Sequence, residues 1–145
     1  MKLASLKNVL KFLSGRELDE QQYRDLMKET VLMTLARGTK EDTYIHPCEI
    51  AKVRLKIKEL TGEDVSEADI RLAAHAEIYE KVPFKTCLER VADQLHTPDR
   101  IAILQALADV LKSDASRIRE AEVAYFNEVA RALRVTPAQL VGLIA

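Results

Sequence analysis

The chain has 145 residues, of which 48% are hydrophobic and 31% charged, which fits one globular domain and excludes an intrinsically disordered chain. Twenty-two Lys and Arg residues against twenty-three Asp and Glu residues give a formal net charge of -1, which excludes nucleic-acid binding through an overall positive field. Two cysteines, Cys48 and Cys87, are too few for a disulfide framework, so we expect a cytoplasmic protein.

Residues 1–14 form the first predicted element, an amphipathic helix that we separate from a helical domain over residues 15–145. Its polar face carries three basic residues and no acidic one: Lys2, Lys7 and Lys11. Such a helix can lie on an anionic membrane surface, but at ~1 kcal/mol per basic residue three lysines give only weak attraction. We therefore favour its docking onto the domain over peripheral membrane contact.

Apolar residues recur at helical spacing through the rest of the chain. Prolines open several of these periodic segments: Pro47, Pro83, Pro98 and Pro137. Glycines follow other periodic segments, at the position where a residue with a left-handed backbone can end a helix: Gly15, Gly38 and Gly62. Asp19 with Gln22, and Ser66 with Asp69, have capping-box spacing. Residues 101–111 are apolar on almost every side, which predicts the central and most buried helix.

One segment, residues 52–58, alternates basic and apolar residues in the manner of a strand. A lone strand would have no partner to pair with, so we interpret the segment as a helix that leaves Leu55 off its apolar face. Its basic residues form a local positive patch: Lys52, Arg54, Lys56 and Lys58. This patch is a candidate binding surface for an acidic partner protein, although a solvated helix face is the commoner explanation of such lysines.

Two stretches, residues 28–60 and 100–133, are interpreted as copies of one unit. In each copy an apolar helix leads into an acidic loop, and a second helix begins with a glutamate in its first turn. We expect the two units to pack as antiparallel pairs around residues 101–111, with their acidic turns at opposite ends of that helix. The predicted fold is an all-α, single-domain bundle of seven to eight helices.

The pattern formed by residues 103–114, Ile118, Glu122 and residues 129–133 resembles the tellurite-resistance TerB-like family. Its signature is an apolar helix, an Ala-Asp-Gly loop, an apolar residue, a glutamate four positions later and an amphipathic helix. The first unit is similar to an earlier copy of the same pattern, so the resemblance covers roughly residues 20–142. It implies an all-helical fold linked to stress from metal oxyanions, phage and membrane damage, with metal chelation and protein scaffolding as the proposed activities.

The chain departs from the family pattern at the residue after each loop aspartate. The family has glycine there, whereas this chain has Thr43 and Ala115. If that glycine supplies a positive φ angle, the two loops must form different turns here.

The carboxylates of the two units are the strongest candidates for a binding site: Asp42, Glu49, Asp114 and Glu122. Oxygen ligands suit Ca²⁺, Mg²⁺ or Mn²⁺, while the spacing differs from an EF-hand loop. The simpler interpretation, which we favour, is that these acids cap the loops and offset the helix dipole. No cofactor is therefore predicted beyond a candidate divalent cation.

Other patterns carry little chemistry. His46 and Cys48 offer Zn²⁺ ligands, but no second ligand pair follows at zinc-finger spacing, and the sequence has neither a nucleophile elbow nor a glycine-rich phosphate loop. We therefore predict a packed bundle without a lined cleft, acting as a non-enzymatic stress-response module through a protein partner. The alternatives are a peripheral inner-membrane adaptor that uses residues 1–14 and, last, an unrecognised enzyme.

Overall fold

A computed structural model of the chain describes residues 18–38, 47–75, 84–112 and 120–140, with side chains at all of these positions except 47–49, 75, 121 and 140. These residues contain seven helices and no strand, so the predicted all-α class is confirmed. The helices are α1 (Glu20–Gly38), α2 (Pro47–Thr61), α3 (Glu67–His75), α4 (Phe84–Ala92), α5 (Thr97–Lys112), α6 (Glu120–Ala132) and α7 (Pro137–Leu140). The predicted helix over residues 1–14, and hence the domain boundary at residue 15, lie outside the described residues.

The centre of the bundle is α1, which contacts α2, α3, α4, α5 and α6. Its residues 29–36 are all buried. The predicted central segment in α5 is also buried over most of its length, but α5 packs beside α1. The sequence favoured α5 as the central helix because polar residues, among them Glu29, Thr30 and Thr34, make α1 less hydrophobic on average than α5, although these three are buried. Thr30 tolerates burial because its hydroxyl donates to the Leu26 carbonyl at 2.7 Å.

The order of contacts along α1 fixes the directions of its neighbours. Leu60 and Thr61, at the C-terminus of α2, lie near Gln21 and Tyr23 at the start of α1, and Lys28 Nζ in the first half of α1 lies 3.4 Å from Glu63 Oε1 just beyond α2. The helix α2 therefore runs antiparallel to α1. The hydroxyl of Tyr23 donates to Asp99 in the first turn of α5. At the other end of α1, a Cβ atom placed on Gly38 would lie 2.8 Å from Cδ1 of Leu107. The helices α1 and α5 are therefore parallel.

The direction of α6 follows in the same way. Tyr125, in its first half, donates its hydroxyl to the Thr34 carbonyl at 2.8 Å. Beyond its last turn, the Leu133 carbonyl accepts from Arg100 Nη1 at 2.8 Å, so α6 is antiparallel to α5. The pairs α1–α2 and α5–α6 are thus both antiparallel, as predicted for each unit. The relationship between the units as repeats stays a prediction.

The helix ends show where local sequence signals succeed. The Asp19 amide donates to Gln22 Oε1 at 3.0 Å and the Gln22 amide donates to Asp19 Oδ1 at 2.7 Å, which is the predicted capping box. Gly62 follows α2 with the predicted positive φ, 77°. Gly38 has no positive φ, so the prediction for it is wrong. Its lack of a side chain instead allows the close approach of Leu107.

The alternating segment 52–58 is helical, as we interpreted it. Val53 and Ile57 are fully buried on the inner face of α2, and Leu55 is 48% exposed. The alternation therefore reflects a narrow buried stripe in which Leu55 takes no part.

Candidate functional site

The two predicted acidic loops are attached to the same end of the bundle, which we call the loop end and define by Gly38, Leu111 and Tyr125. A Cβ atom on Gly38 would lie 3.5 Å from the Tyr125 ring and 3.8 Å from Leu111 Cδ2, so the last turns of α1 and α5 lie beside the first half of α6. The expectation that the acidic turns flank opposite ends of the central helix is wrong. It failed because the parallel packing of α1 and α5 depends on contacts between distant residues.

Among the predicted ligands, Glu122 is the one whose side chain is described. It lies in the first turn of α6 and is 8% exposed, although a carboxylate is rarely buried without compensating contacts. The amide groups and dipole of a helix N-terminus favour a negative charge at this position. Asp42 and Asp114, like the side chain of Glu49, lie outside the described residues, so the pairing of these acids stays a prediction.

Tyr125 is a residue of the loop end that the sequence did not single out. Its hydroxyl ties α6 to α1 through the Thr34 carbonyl, and burial raises the pKa of the phenol above its usual value. A lone tyrosine on an amphipathic helix gives no signal of such a partner. Its ring packs against Gly38, where any larger residue would collide with Leu107. Tyr125 and Gly38 thus allow tight packing of the core beneath the loop end.

The structure divides the predicted basic patch on α2 into two sides. Arg54 makes a two-pronged ion pair with Asp64, at 2.8 and 3.0 Å. This contact raises the pKa of the guanidinium and lowers that of the Asp64 carboxyl. On the other side, Lys56 Nζ lies 2.9 Å from Asp109 Oδ2, and the hydrogen bond to Asp109 raises the pKa of the lysine. These two cations are thus already neutralised by this chain.

The remaining cations of the patch are Lys52 and Lys58. Lys52 is half-buried and Lys58 exposed, and neither makes an ion pair within the part of the chain that the structure describes. Leu55 lies between them in sequence with nearly half its surface in water. Lys52, Leu55 and Lys58, spaced three residues apart along α2, are thus the part of the predicted patch that Arg54 and Lys56 and their ion pairs do not involve.

A cleft of about 470 Å³ opens at the end of the bundle opposite the loop end, so the prediction of a bundle without a lined cleft is wrong. Its lining comes from α1, from the C-terminal part of α2 and from the start of α5: Gln21, Tyr23, Arg24, Asp25, Met27, Lys28, Leu60, Thr61, Glu63 and Asp99. The sequence hid it because its walls are brought together by contacts between residues far apart in the chain. The lining contains neither histidine nor cysteine, and Cys87 is buried elsewhere, in α4.

Other candidate residues cannot be placed. The membrane-contact candidates Lys2, Lys7 and Lys11 and the zinc candidate His46 lie outside the described residues, as does the side chain of Cys48. Over residues 18–38, 47–75, 84–112 and 120–140, no helix is long and apolar enough to cross a membrane. The same ranges hold no group of three or more His, Cys, Asp or Glu side chains that could bind a metal ion.

Comparison with known proteins gives one match. The family model described as "Tellurite resistance protein TerB" matches residues 15–143, nearly the whole chain. No curated protein and no solved structure gives a significant match. The resemblance inferred from the two acidic units is thereby confirmed at the level of the family.

Proposed function

Because the chain belongs to the tellurite-resistance TerB family, we propose that it is a non-enzymatic stress-response module that binds a divalent cation at its loop end and a partner protein on α2. The cation is Ca²⁺, Mg²⁺ or Mn²⁺, since the candidate ligands are all carboxylates. The proposed ligands are the Asp and Glu pairs of the two units: Asp42, Glu49, Asp114 and Glu122.

The observation that supports the cation site best is the position of Glu122 at the loop end. Glu122 lies in the first turn of α6, shortly after the second acidic loop in sequence, and a carboxylate there is a suitable oxygen ligand for a hard cation. Both acid-bearing loops are attached at this end. One or two cations bound there would therefore draw on ligands from both units.

Calorimetric titration with Ca²⁺, Mg²⁺ and Mn²⁺ tests the cation site. We expect saturable binding of at least one ion to the wild-type chain. Affinity should fall by about tenfold or more in the double variant Asp42→Asn/Asp114→Asn, because each lost carboxylate removes a charged ligand. The matched control is Glu128→Gln, which removes a negative charge from an exposed position of α6 and should leave binding unchanged.

Two results count against the cation site. One is the absence of binding of all three ions at millimolar concentration, and the other is equal binding by the wild type and the double variant. In either case, a loss of stability in the double variant would indicate that the acids only cap the loops and helices.

The proposed partner surface consists of Leu55, Lys52 and Lys58. An exposed apolar residue next to two lysines that make no ion pair with the described residues suits an acidic segment of another protein. Arg54 and Lys56 are left out because their ion pairs already satisfy them.

Reversal of the charges of Lys52 and Lys58 tests this surface without breaking the ion pairs of Arg54 and Lys56. In a pull-down from native extract, Lys52→Glu/Lys58→Glu should lose a protein that the wild type retains. A photo-crosslinking residue at position 55 should attach to that same protein. The control is Lys85→Glu, at an exposed position of α4, which should behave as the wild type. Equal recovery by all three proteins, or no crosslink at position 55, would contradict the proposal.

A further inference from the structure

The cleft opposite the loop end contains more negative than positive charge. Three carboxylates line it: Asp25 on α1, Glu63 beyond α2 and Asp99 at the start of α5. Lys28 is the cation closest to two of them, with its Nζ 3.4 Å from Glu63 and 4.0 Å from Asp25. One lysine therefore serves two acids.

The remaining charges do not restore the balance. Arg24, at the rim, is 2.7 Å from Glu20 on the preceding turn of the same helix, and both side chains are largely exposed. Within the described ranges, Asp99 has no cation within 4.0 Å. The helix dipoles partly cancel, because the C-terminal end of α2 at Thr61 adds partial negative charge, whereas the first turns of α1 at Gln21 and of α5 at Asp99 add partial positive charge. The formal charge of the lining, three acids against Arg24 and Lys28, stays at -1.

Asp99 is held in place by Tyr23. The phenol hydroxyl donates to Asp99 Oδ2 and accepts from the His96 amide at 3.0 Å, while the tyrosine ring stacks on the His96 ring with centroids 4.7 Å apart. Burial, reinforced by the hydrogen bond to Asp99, raises the pKa of Tyr23 to about 12. The phenol therefore stays protonated well above neutral pH and keeps donating its hydrogen bond to Asp99.

The residues that line the cleft suit an organic cation better than a metal ion. Its three carboxylates do not converge into a group that could hold a metal ion, and its lining includes the apolar side chains of Met27 and Leu60. Spread acids around partly apolar walls suit a cation on an aliphatic stem, whose methylene groups pack while its charged head makes hydrogen bonds. The volume of about 470 Å³ is within the usual range for small-molecule sites.

We propose that this cleft binds an organic cation, a primary ammonium or guanidinium group on an aliphatic stem. Asp25, Glu63 and Asp99 bind the charge, and Met27 and Leu60 contact the stem. The same chemistry is offered by a free polyamine and by a lysine or arginine side chain of a partner protein. The cleft is separate from the proposed divalent-cation site, which lies at the loop end.

Amide chemical-shift titration of the full chain by NMR tests the proposal. The probes are spermidine, for a free polyamine, and N-acetyl-lysine methylamide, for a basic side chain; the uncharged control ligand is N-acetyl-norleucine methylamide. We expect saturable shifts at Tyr23, Thr61 and Glu63 with at least one charged probe and none with the control ligand. Binding by spermidine alone indicates a free polyamine, and binding by the lysine analogue alone indicates a partner's side chain.

The variant Asp25→Asn/Glu63→Gln should bind the charged probe about tenfold more weakly, the change expected from the loss of a charge-assisted hydrogen bond. Both side chains are about half exposed, so the variant should fold, and circular dichroism checks this. Glu128→Gln should bind like the wild type. The proposal is overturned if neither charged probe gives saturable shifts in the millimolar range. It is also overturned if the folded Asp25→Asn/Glu63→Gln variant binds the charged probe as tightly as the wild type. Asp42→Asn/Asp114→Asn, which should weaken binding of divalent cations at the loop end, should bind the charged probe like the wild type. A failure of the amine site can therefore be told apart from a failure of the divalent-cation site.

Discussion

Replacing Leu107 by alanine should lower the free energy of unfolding by about 2–5 kcal/mol, the range for a leucine lost from a packed core. Leu107 is fully buried in α5 and lies where α5 meets the end of α1, so little solvent-exposed structure can collapse into the gap. Urea denaturation followed by circular dichroism measures the change. An effect below about 1 kcal/mol would mean that the core beneath the loop end is not packed as described.

Gly38 and Leu107 should also be coupled. A Cβ atom on Gly38 would lie 2.8 Å from Leu107 Cδ1, so Gly38→Ala overpacks the core. Because the obstructing atom is the end of a side chain, the cost should be near the lower end of the range of about 1–3 kcal/mol for overpacking. In Gly38→Ala/Leu107→Ala the obstructing methyl group is gone, and the combined cost should be smaller than the sum of the single costs. Gly62→Ala is the matched control. It is strained by the φ of 77°, but its Cβ atom would meet no atom of the described ranges within 4 Å, so its cost should add to that of Leu107→Ala.

Arg100→Met should cost about 1.5–3 kcal/mol, because the guanidinium makes charge-assisted hydrogen bonds that methionine cannot replace. Arg100 donates at 2.8 Å both to the Leu133 carbonyl, beyond α6, and to Thr97 Oγ1. The buried Nε–H of Arg100 finds no hydrogen-bond partner among the residues that the structure describes, so its removal relieves some cost and the effect should fall in the lower half of the range.

The control for this variant is Arg71→Met, on the exposed face of α3, which should change stability by no more than about 0.5 kcal/mol. Denaturation of both variants under the same conditions compares them. Equal stability of the two variants would contradict the assignment of Arg100 as the link between α5 and α6.

Features set by neighbouring residues could be predicted from the sequence. The capping box of Asp19 and Gln22 spans only four residues, and the positive φ of Gly62 depends only on the end of its own helix. The helical state of residues 52–58 followed from the lack of a strand to pair with. The family was recognised from the local pattern of the acidic units.

Features set by distant residues could not be predicted. The parallel packing of α1 and α5 puts the attachment points of the two loops at one end of the bundle and forms the cleft at the other. This packing depends on contacts between distant residues, such as the hydrogen bond between Tyr23 and Asp99, which are 76 positions apart. Periodicity shows which face of a helix is buried, but it does not show against which helix or in which direction. For the same reason, the ion pairs that neutralise Arg54 and Lys56 were not visible in the pattern of the basic patch.

If the acidic loops of both units bind a divalent cation at the loop end, a paramagnetic ion should bind there. Paramagnetic Mn²⁺ added in small amounts to the isotope-labelled chain shows where the ion binds, because Mn²⁺ broadens the NMR signals of nearby nuclei. We expect early broadening of the amide signals of Gly38, Leu111 and Tyr125 at the loop end, while those of Tyr23 and Thr61 at the cleft stay sharp. Broadening centred on the cleft, or none at the loop end, would rule out a divalent-cation site formed by the two loops.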